Sequence, residues 1–141
     1  MNSVDPNTRH KLYWYKHARP DDLSAIPYPQ INVGMEIARF ISSNTIDKHI
    51  GLEVEEYFKR IVGESTQEHW GAKGIALVNI GILLEPEFSL NIEKILMDIS
   101  RVYVVIIIGP FIVENSRRLA WDDTSNFSLN FPEQTIQRLE I

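Results

Sequence analysis

A run of seven apolar or aromatic residues, Val102 to Ile108, constrains the fold of this chain more than any other feature. The run is mostly β-branched, shows no polar alternation, and ends at Gly109-Pro110. These properties are typical of a β-strand buried on both faces, as in a parallel sheet covered by other layers. A second run without alternation, Ile75 to Ile80, predicts a neighbouring strand of the same kind.

Amphipathic segments lie around these two strands. Apolar residues recur at helical spacing in three segments, and a short strand leads into the first of them. An alternating segment later in the chain predicts an edge strand. The predicted elements are the strand Ile31 to Gly34, the helices Met35 to Ile41, Leu52 to Val62 (ended by Gly63) and Phe88 to Ile99, a loop from Glu64 to Gly74, and the edge strand Phe127 to Phe131. This order predicts an α/β three-layer sandwich around a mostly parallel sheet.

The length of 141 residues fits one compact domain. Residues 1–30 hold four of the seven prolines and no glycine, so we expect an N-terminal arm with one short strand or helix in it. Residues 31–141 are expected to form a single α/β domain.

Charge and composition exclude several classes of protein. The formal net charge is −5, which argues against a protein held on nucleic acid by bulk charge alone, although a local basic patch stays open. Zero cysteines exclude disulfides, thiolate metal sites and cysteine nucleophiles. No apolar run reaches the roughly 18 residues of a membrane helix, and the N-terminus lacks a secretory apolar region. We therefore expect a cytoplasmic protein with no membrane partner.

The phosphate-binding motifs are missing. A P-loop needs a Gly-Lys dipeptide after a strand, and Gly-Lys occurs nowhere in the chain. The Gly-x-Gly-x-x-Gly pattern of dinucleotide sites is also missing. Residues Gly71-Ala72-Lys73-Gly74 precede a predicted strand, so we interpret them as a turn and not as a phosphate cradle.

Other catalytic patterns are equally weak. The four histidines are scattered, no His-Glu-x-x-His helix is present, and no metal site or cofactor is predicted. A Gly-x-Ser-x-Gly hydrolase elbow is also missing. Glu85 and Glu87 directly follow a buried strand, where α/β proteins place ligands. We interpret them as acids that stabilise the start of the next helix.

Two basic-aromatic segments offer contact surfaces. The arm contains Tyr13, Trp14 and Lys16, and a later segment contains Arg117 and Arg118. Such residues contact phosphates and stack on bases, but a docked apolar arm with solvated charges explains the first segment more simply.

The stretch Asn79-Ile80-Gly81-Ile82-Leu83-Leu84-Glu85-Pro86-Glu87, the following helix ending at Ser100-Arg101, and the strand running into Gly109 carry a resemblance. They resemble the Walker B half of BrxF, the small P-loop protein of type 3 bacteriophage exclusion systems. The segment from Ile31 to Ile37 resembles that family's second strand and following helix. The similarity covers about residues 30–110 and implies a P-loop NTPase-like fold in a phage-defence setting.

The chain departs from that family where nucleotide chemistry would lie. Residues 1–30 offer no P-loop, and the two acids of the Walker B strand are missing in either register. The resemblance sets those positions at Val78 and Gly81, whereas a rule of four apolar residues followed by an acid sets them at Asn79 and Ile80. Arg101 remains as a residue that contacts a phosphate or a neighbouring subunit, or is a helix C-terminal charge.

These features favour a noncatalytic interaction or regulatory protein of a phage-defence or DNA-transacting complex, built on a degenerate P-loop-like scaffold. The expected partners are proteins, with DNA as a further partner. The predicted contact residues are Tyr13, Trp14, Lys16, Arg101, Arg117 and Arg118, and the degenerate Walker B region comprises Val78, Asn79, Gly81 and Glu85. Two alternatives stay open. One is a nucleotide- or nucleic-acid-binding module, and the other is an enzyme whose acids, Glu85, Glu87, Asp122 and Asp123, assemble only in the fold.

Overall fold

The protein is α/β, with a mostly parallel sheet and, in the part that the structure describes, three α-helices. The computed structural model describes residues 11–16, 26–43, 50–109, 112–114, 118–120, 128–132 and 135–139. Within these ranges the predicted α/β class with a mostly parallel sheet is confirmed. None of the described helices has the length and apolar character needed to cross a membrane.

In the described ranges, nine strands and three α-helices follow one another along the chain. The strands are β1 (Leu12–Lys16), β2 (Gln30–Asn32), β3 (Gln67–His69), β4 (Ala72–Val78), β5 (Val104–Gly109), β6 (Ile112–Glu114), β7 (Arg118–Ala120), β8 (Ser128–Asn130) and β9 (Ile136–Arg138). The helices are α1 (Val33–Ser43), α2 (Ile50–Ser65) and α3 (Ile92–Ser100). Two short 3₁₀ turns, Ile80–Leu84 and Pro86–Phe88, connect β4 to α3.

The main sheet has the strand order β2-β4-β5-β1-β9, and all four pairings along this path are parallel. β3 pairs antiparallel with the first part of β4. The first strand of the chain therefore lies inside the sheet, between β5 and β9. Because parallel neighbours need crossover connections, this order assembles segments that are far apart in sequence.

The two faces of the sheet have separate cores. On one face the helices pack against alternate strand residues, such as Leu77 of β4 and Ile107 of β5. On the other face Ile26 and Tyr28 pack against the intervening residues, such as Ile106. This arrangement is consistent with the predicted three-layer sandwich. It also explains why β4 and β5 show no polar alternation, because both of their faces are buried.

A tight turn aligns β3 with β4. Trp70 and Gly71 both have positive φ, 53° and 82°, and they form the two-residue connection between the paired residues His69 and Ala72. Such turns match the twist of the strands they join. The segment predicted as a loop from Glu64 to Gly74 therefore contains a β-hairpin.

Some element boundaries differ from the predictions. α2 continues through Gly63 to Ser65, where we expected the glycine to end it. The helix predicted from Phe88 begins at Ile92, where Asn91 caps it by accepting a hydrogen bond from the Lys94 amide at 3.2 Å. A polar cap at this position stabilises the helix start, and it is a stronger signal than the preceding apolar residues.

A second sheet, in the order β6-β7-β8, contains the segment predicted as an edge strand. All its pairings are antiparallel. Leu119 of β7 and Leu129 of β8 are fully buried and belong to the helix-side core. The C-terminal part of the chain therefore contributes both to this small sheet and, through β9, to the main sheet.

Candidate functional site

The carboxyl ends of the parallel strands form one edge of the main sheet, where open α/β proteins place their ligands. β2 ends there at Asn32, β4 at Val78, and β5 at Gly109. β1 and β9 end there at Lys16 and Arg138. We call this the carboxyl edge and consider it first as the candidate site.

Two asparagines join β2 and β4 at the carboxyl edge. Asn79 Nδ2 donates to Asn32 Oδ1 at 3.2 Å, and the same oxygen accepts from the Met35 amide at 3.0 Å. Asn32 thereby caps α1, because its side chain satisfies an amide that the helix leaves free. Asn79 has φ 58°, a left-handed conformation that asparagine tolerates better than most residues.

The approach of α1 to this junction depends on Gly34. A Cβ atom at position 34 would lie 2.9 Å from the Asn79 Cγ atom and 3.3 Å from its carbonyl oxygen. The missing side chain therefore leaves room for the Asn79 amide. The Asn32–Gly34–Asn79 junction is a packed, neutral structure, and its amides are engaged with one another and with the backbone.

The structure separates the residues of the degenerate Walker B region. Val78 is half-buried and packs on the face opposite the helices, whereas Asn79 is exposed at the carboxyl edge. Gly81 lies in the first 3₁₀ turn, and Glu85 is exposed between the two turns. Of the two registers considered, only the one that selects Asn79 puts a polar side chain directly at the end of the buried strand.

Where β2 and β4 end, the polar side chains at this edge are neutral amides. An asparagine side chain donates and accepts hydrogen bonds, but it carries no charge with which to hold a magnesium ion. Across the described part of the chain, no three histidine, aspartate or glutamate side chains gather so that they could hold a metal ion.

The predicted contact residues of β1 have different environments. Tyr13 is 2% exposed and packs in the core beside Ile106, so its side chain supports the sheet instead of presenting a surface. Trp14 is half-buried on the other face. The backbone of Lys16 ends β1, and its side chain lies outside the described part of the structure.

Two of the predicted contact arginines, Arg101 and Arg118, lie in different elements of the described structure. Arg101 is exposed and follows α3 near the start of β5, at the end of the sheet opposite the carboxyl edge. Its carbonyl oxygen accepts from Lys11 Nζ at 3.3 Å. Arg118 lies in the second sheet. In the strand register its backbone is opposite Glu114 of β6 and Asn130 of β8. Arg117 lies outside the described residues, as do Asp122 and Asp123.

Sequence analysis missed one basic residue beside Trp14. The Arg138 guanidinium lies 5.8 Å from the centre of the Trp14 ring, a cation–π arrangement. The parallel register of β1 with β9 places the two residues opposite each other. No local pattern identifies Arg138, because the pairing joins residues at the two ends of the chain.

Comparisons with protein-family models, with curated proteins and with solved structures find no match to this chain. The functional argument therefore starts from the geometry described above.

Proposed function

We propose that this chain is a noncatalytic interaction or regulatory protein of a bacterial phage-defence or DNA-transacting complex, built on a degenerate P-loop-like scaffold. The carrying observation is that the carboxyl edge is neutral where β2 and β4 end. Where β4 ends, the polar residue is Asn79, and its amide is bound to Asn32 at 3.2 Å. A magnesium triphosphate carries concentrated charge, and binding it without an acid or a lysine cradle forgoes the main electrostatic stabilisation.

The place of β1 supports the scaffold part of the proposal. The resemblance to the phage-exclusion protein calls for a strand before Ile31, followed by a glycine-lysine loop. β1 is a strand in that part of the chain and lies within the parallel sheet. The first glycine of the sequence is Gly34, so the connection from β1 to β2 contains no glycine to wrap a phosphate. The phage-defence setting rests on the resemblance.

The nucleotide part is tested by thermal unfolding with and without millimolar magnesium ATP. A ligand at 100 times its dissociation constant stabilises a folded protein by about 2.7 kcal/mol, which raises Tm by several degrees. We expect no rise in Tm and no phosphate release. A magnesium-dependent rise of several degrees would contradict the noncatalytic proposal.

The partner part is tested by co-expression with the products of neighbouring genes. We expect one of them to co-elute with this chain as a complex of defined stoichiometry in size-exclusion chromatography. Elution of the chain alone, in every pairwise combination, would count against an interaction protein.

A nucleic-acid-binding module is the second candidate, and the Arg138–Trp14 pair favours it. Here a cation and an aromatic ring lie beside the end of β1. If this candidate is correct, DNA binding will weaken steeply with salt, because each phosphate contact contributes about 0.7 to 0.9 to the logarithmic slope. The slope should then fall in the double variant Lys16→Ala and Arg117→Ala, and in Arg138→Ala. Binding that is undetectable even at low salt removes this candidate.

A further inference from the structure

Residues 26–29 lead into β2 and lie on the face of the main sheet opposite the helices. We call them the latch segment. Ile26 and Tyr28 are buried and belong to the core on that face. The Pro29 carbonyl oxygen accepts a hydrogen bond from the Ala76 amide of β4 at 2.9 Å. The latch segment is therefore fixed to the sheet at its β2 end and contributes two side chains to this core.

A recess at Gly74 of β4 receives the Tyr28 ring. A Cβ atom at position 74 would lie 2.9 Å from the Tyr28 Cε1 atom and 2.6 Å from the Val104 Cβ atom of β5. Carbon atoms that are not bonded do not approach each other so closely, so a larger residue at position 74 would displace the Tyr28 ring. Gly74 therefore allows Tyr28 to lie directly against β4, beside Val104.

The Tyr28 side chain also joins the latch segment to the β3–β4 hairpin. Its hydroxyl donates to the carbonyl oxygens of His69 and Ala72, the two paired residues that flank the turn. Its ring meets the rings of His69 and Trp70 edge to face, with centroid distances of 5.4 Å and 5.6 Å. Edge-to-face contacts stabilise aromatic pairs beyond the burial of their surfaces. The latch segment and the hairpin turn therefore hold each other in place.

Trp70 has a backbone conformation that a large side chain disfavours. Its φ of 53° lies in the left-handed region, where the Cβ atom crowds the backbone. The first position of such a turn favours asparagine, aspartate or glycine, and here the glycine is at the second position, Gly71. Strain of this kind persists only where neighbouring contacts maintain it, and Tyr28 makes such contacts with the ring and the turn.

We infer that the latch segment and the turn of the β3–β4 hairpin form one conformational switch and open together. In the open state Tyr28 leaves the Gly74 recess, Trp70 returns to a negative φ, and Val104 becomes accessible. The two parts open as a unit because each supports the other, so the loss of one removes the contacts that hold its partner. The helix-side core lies on the other face of the sheet and stays closed.

Thiol labelling of the full chain measures this opening, because the sequence contains no cysteine and one can be introduced at a chosen position. Val104 and Val105 are neighbours in β5 and are fully buried, but Val104 lies in the latch-side core and Val105 in the helix-side core. Val104→Cys and Val105→Cys are therefore a matched pair. We expect position 104 to be labelled at least tenfold faster, with a weaker dependence on urea, because a local opening exposes less surface than global unfolding.

Two further substitutions separate the local opening from global unfolding. Tyr28→Phe removes the hydroxyl and keeps the ring. We expect it to raise the labelling at position 104 and the amide exchange of β3 together, each about fivefold, the effect of one hydrogen bond. Ile107→Val shortens a fully buried side chain of the helix-side core. We expect it to raise the labelling at position 105 about fivefold and to leave position 104 unchanged.

Three results would overturn the switch. Equal rates and equal urea dependence at positions 104 and 105 would mean that only global unfolding exposes the thiols. An unchanged rate at position 104 in Tyr28→Phe would show that the hydroxyl does not hold the latch segment closed. A rise at position 104 without faster exchange in β3 would show that the latch segment opens without the turn. The switch lies at the amino end of β4 and the carboxyl edge at its other end, so failure here is distinguishable from failure of the proposed function.

Discussion

At the scale of single residues, a few side chains determine how β2, α1 and β4 meet. Asn32 serves two partners with one oxygen, the Met35 amide and the Asn79 amide. Gly34 provides the space that this contact needs. The local sequence signals a helix start after a strand, but it does not show that the cap also binds a residue 47 positions later.

The Gly34–Asn79 contact predicts a non-additive pair of substitutions. Alanine is a better helix former than glycine by about 1 kcal/mol, yet we expect Gly34→Ala to destabilise the protein by about 1 to 3 kcal/mol. The new Cβ must displace the Asn79 side chain and break its hydrogen bond to Asn32. In an Asn79→Gly background the side-chain obstacle is gone and only the carbonyl oxygen of residue 79, at 3.3 Å, stays close, so the same change should cost much less.

Urea unfolding of the wild type, the two single variants and the double variant gives the coupling free energy between positions 34 and 79. Gly81→Ala is the control, because a Cβ at Gly81 meets nothing within 4 Å and should change stability little. Equal effects of Gly34→Ala in both backgrounds would contradict the packing described for the junction.

Tyr28 predicts a pH dependence in the alkaline range. Its hydroxyl oxygen lies 2.5 Å from the His69 carbonyl oxygen and 2.9 Å from that of Ala72, and shares its proton between them. Burial, with smaller effects of Tyr13 and Glu68, raises its pKa from 10.0 to about 12. Because the folded pKa exceeds the unfolded one, the stabilisation is complete below pH 10 and is lost between pH 10 and 12.

We therefore expect the free energy of unfolding to fall across that range in the wild type and to fall less steeply in Tyr28→Phe. At neutral pH the variant should be about 1 kcal/mol less stable, because it lacks the hydrogen bond. Tyr103→Phe, which retains Tyr28, should keep the wild-type slope. A Tyr28→Phe profile parallel to that of the wild type would contradict the assigned role.

At the scale of secondary-structure elements, the position of β1 in the sheet is what the sequence left most open. We expected residues 1–30 to be an N-terminal arm with one short strand or helix in it, and the structure places the strand 12–16 between two strands of the sheet. The sequence of β1 did not show clearly that both of its faces are buried, because its tyrosine and tryptophan side chains carry polar groups as well as apolar rings. In the fold, Leu12 and Trp14 contribute to one core, and Tyr13 and Tyr15 to the other.

Removal of residues 1–16 tests whether β1 is a structural strand of the sheet or part of a dispensable arm. Five residues of β1 pair with β5 and three with β9, and Leu12 is fully buried. We expect the truncated chain to lose its cooperative thermal transition and its near-ultraviolet circular dichroism, because the sheet would be split. Retention of a transition within a few degrees of the full chain would indicate a dispensable arm.

At the scale of the whole molecule, stability is expected to be highest at the centre of the sheet. β4 and β5 are buried on both faces and pair on both edges, whereas β2 and β9 are the terminal strands of the order. Local opening therefore costs least at the two ends of the sheet.

Native-state amide hydrogen exchange tests this ranking. We expect the slowest amides at Ile75–Leu77 and Val105–Ile107, and exchange at least tenfold faster in β2 and β9. Protection of β2 equal to that of β5 in the free protein would contradict the edge assignment.

The amino-acid sequence alone determined the α/β class, the two strands with both faces buried, the approximate positions of the helices, and the lack of a glycine-lysine loop. These features depend on periodicity and composition, which are properties of short segments of the sequence. Tertiary structure decided the central place of β1, the Asn32–Asn79 junction and the Arg138–Trp14 pair. Each of these depends on which strands lie side by side and in what register, and that choice minimises the free energy of the whole core, so no short segment encodes it.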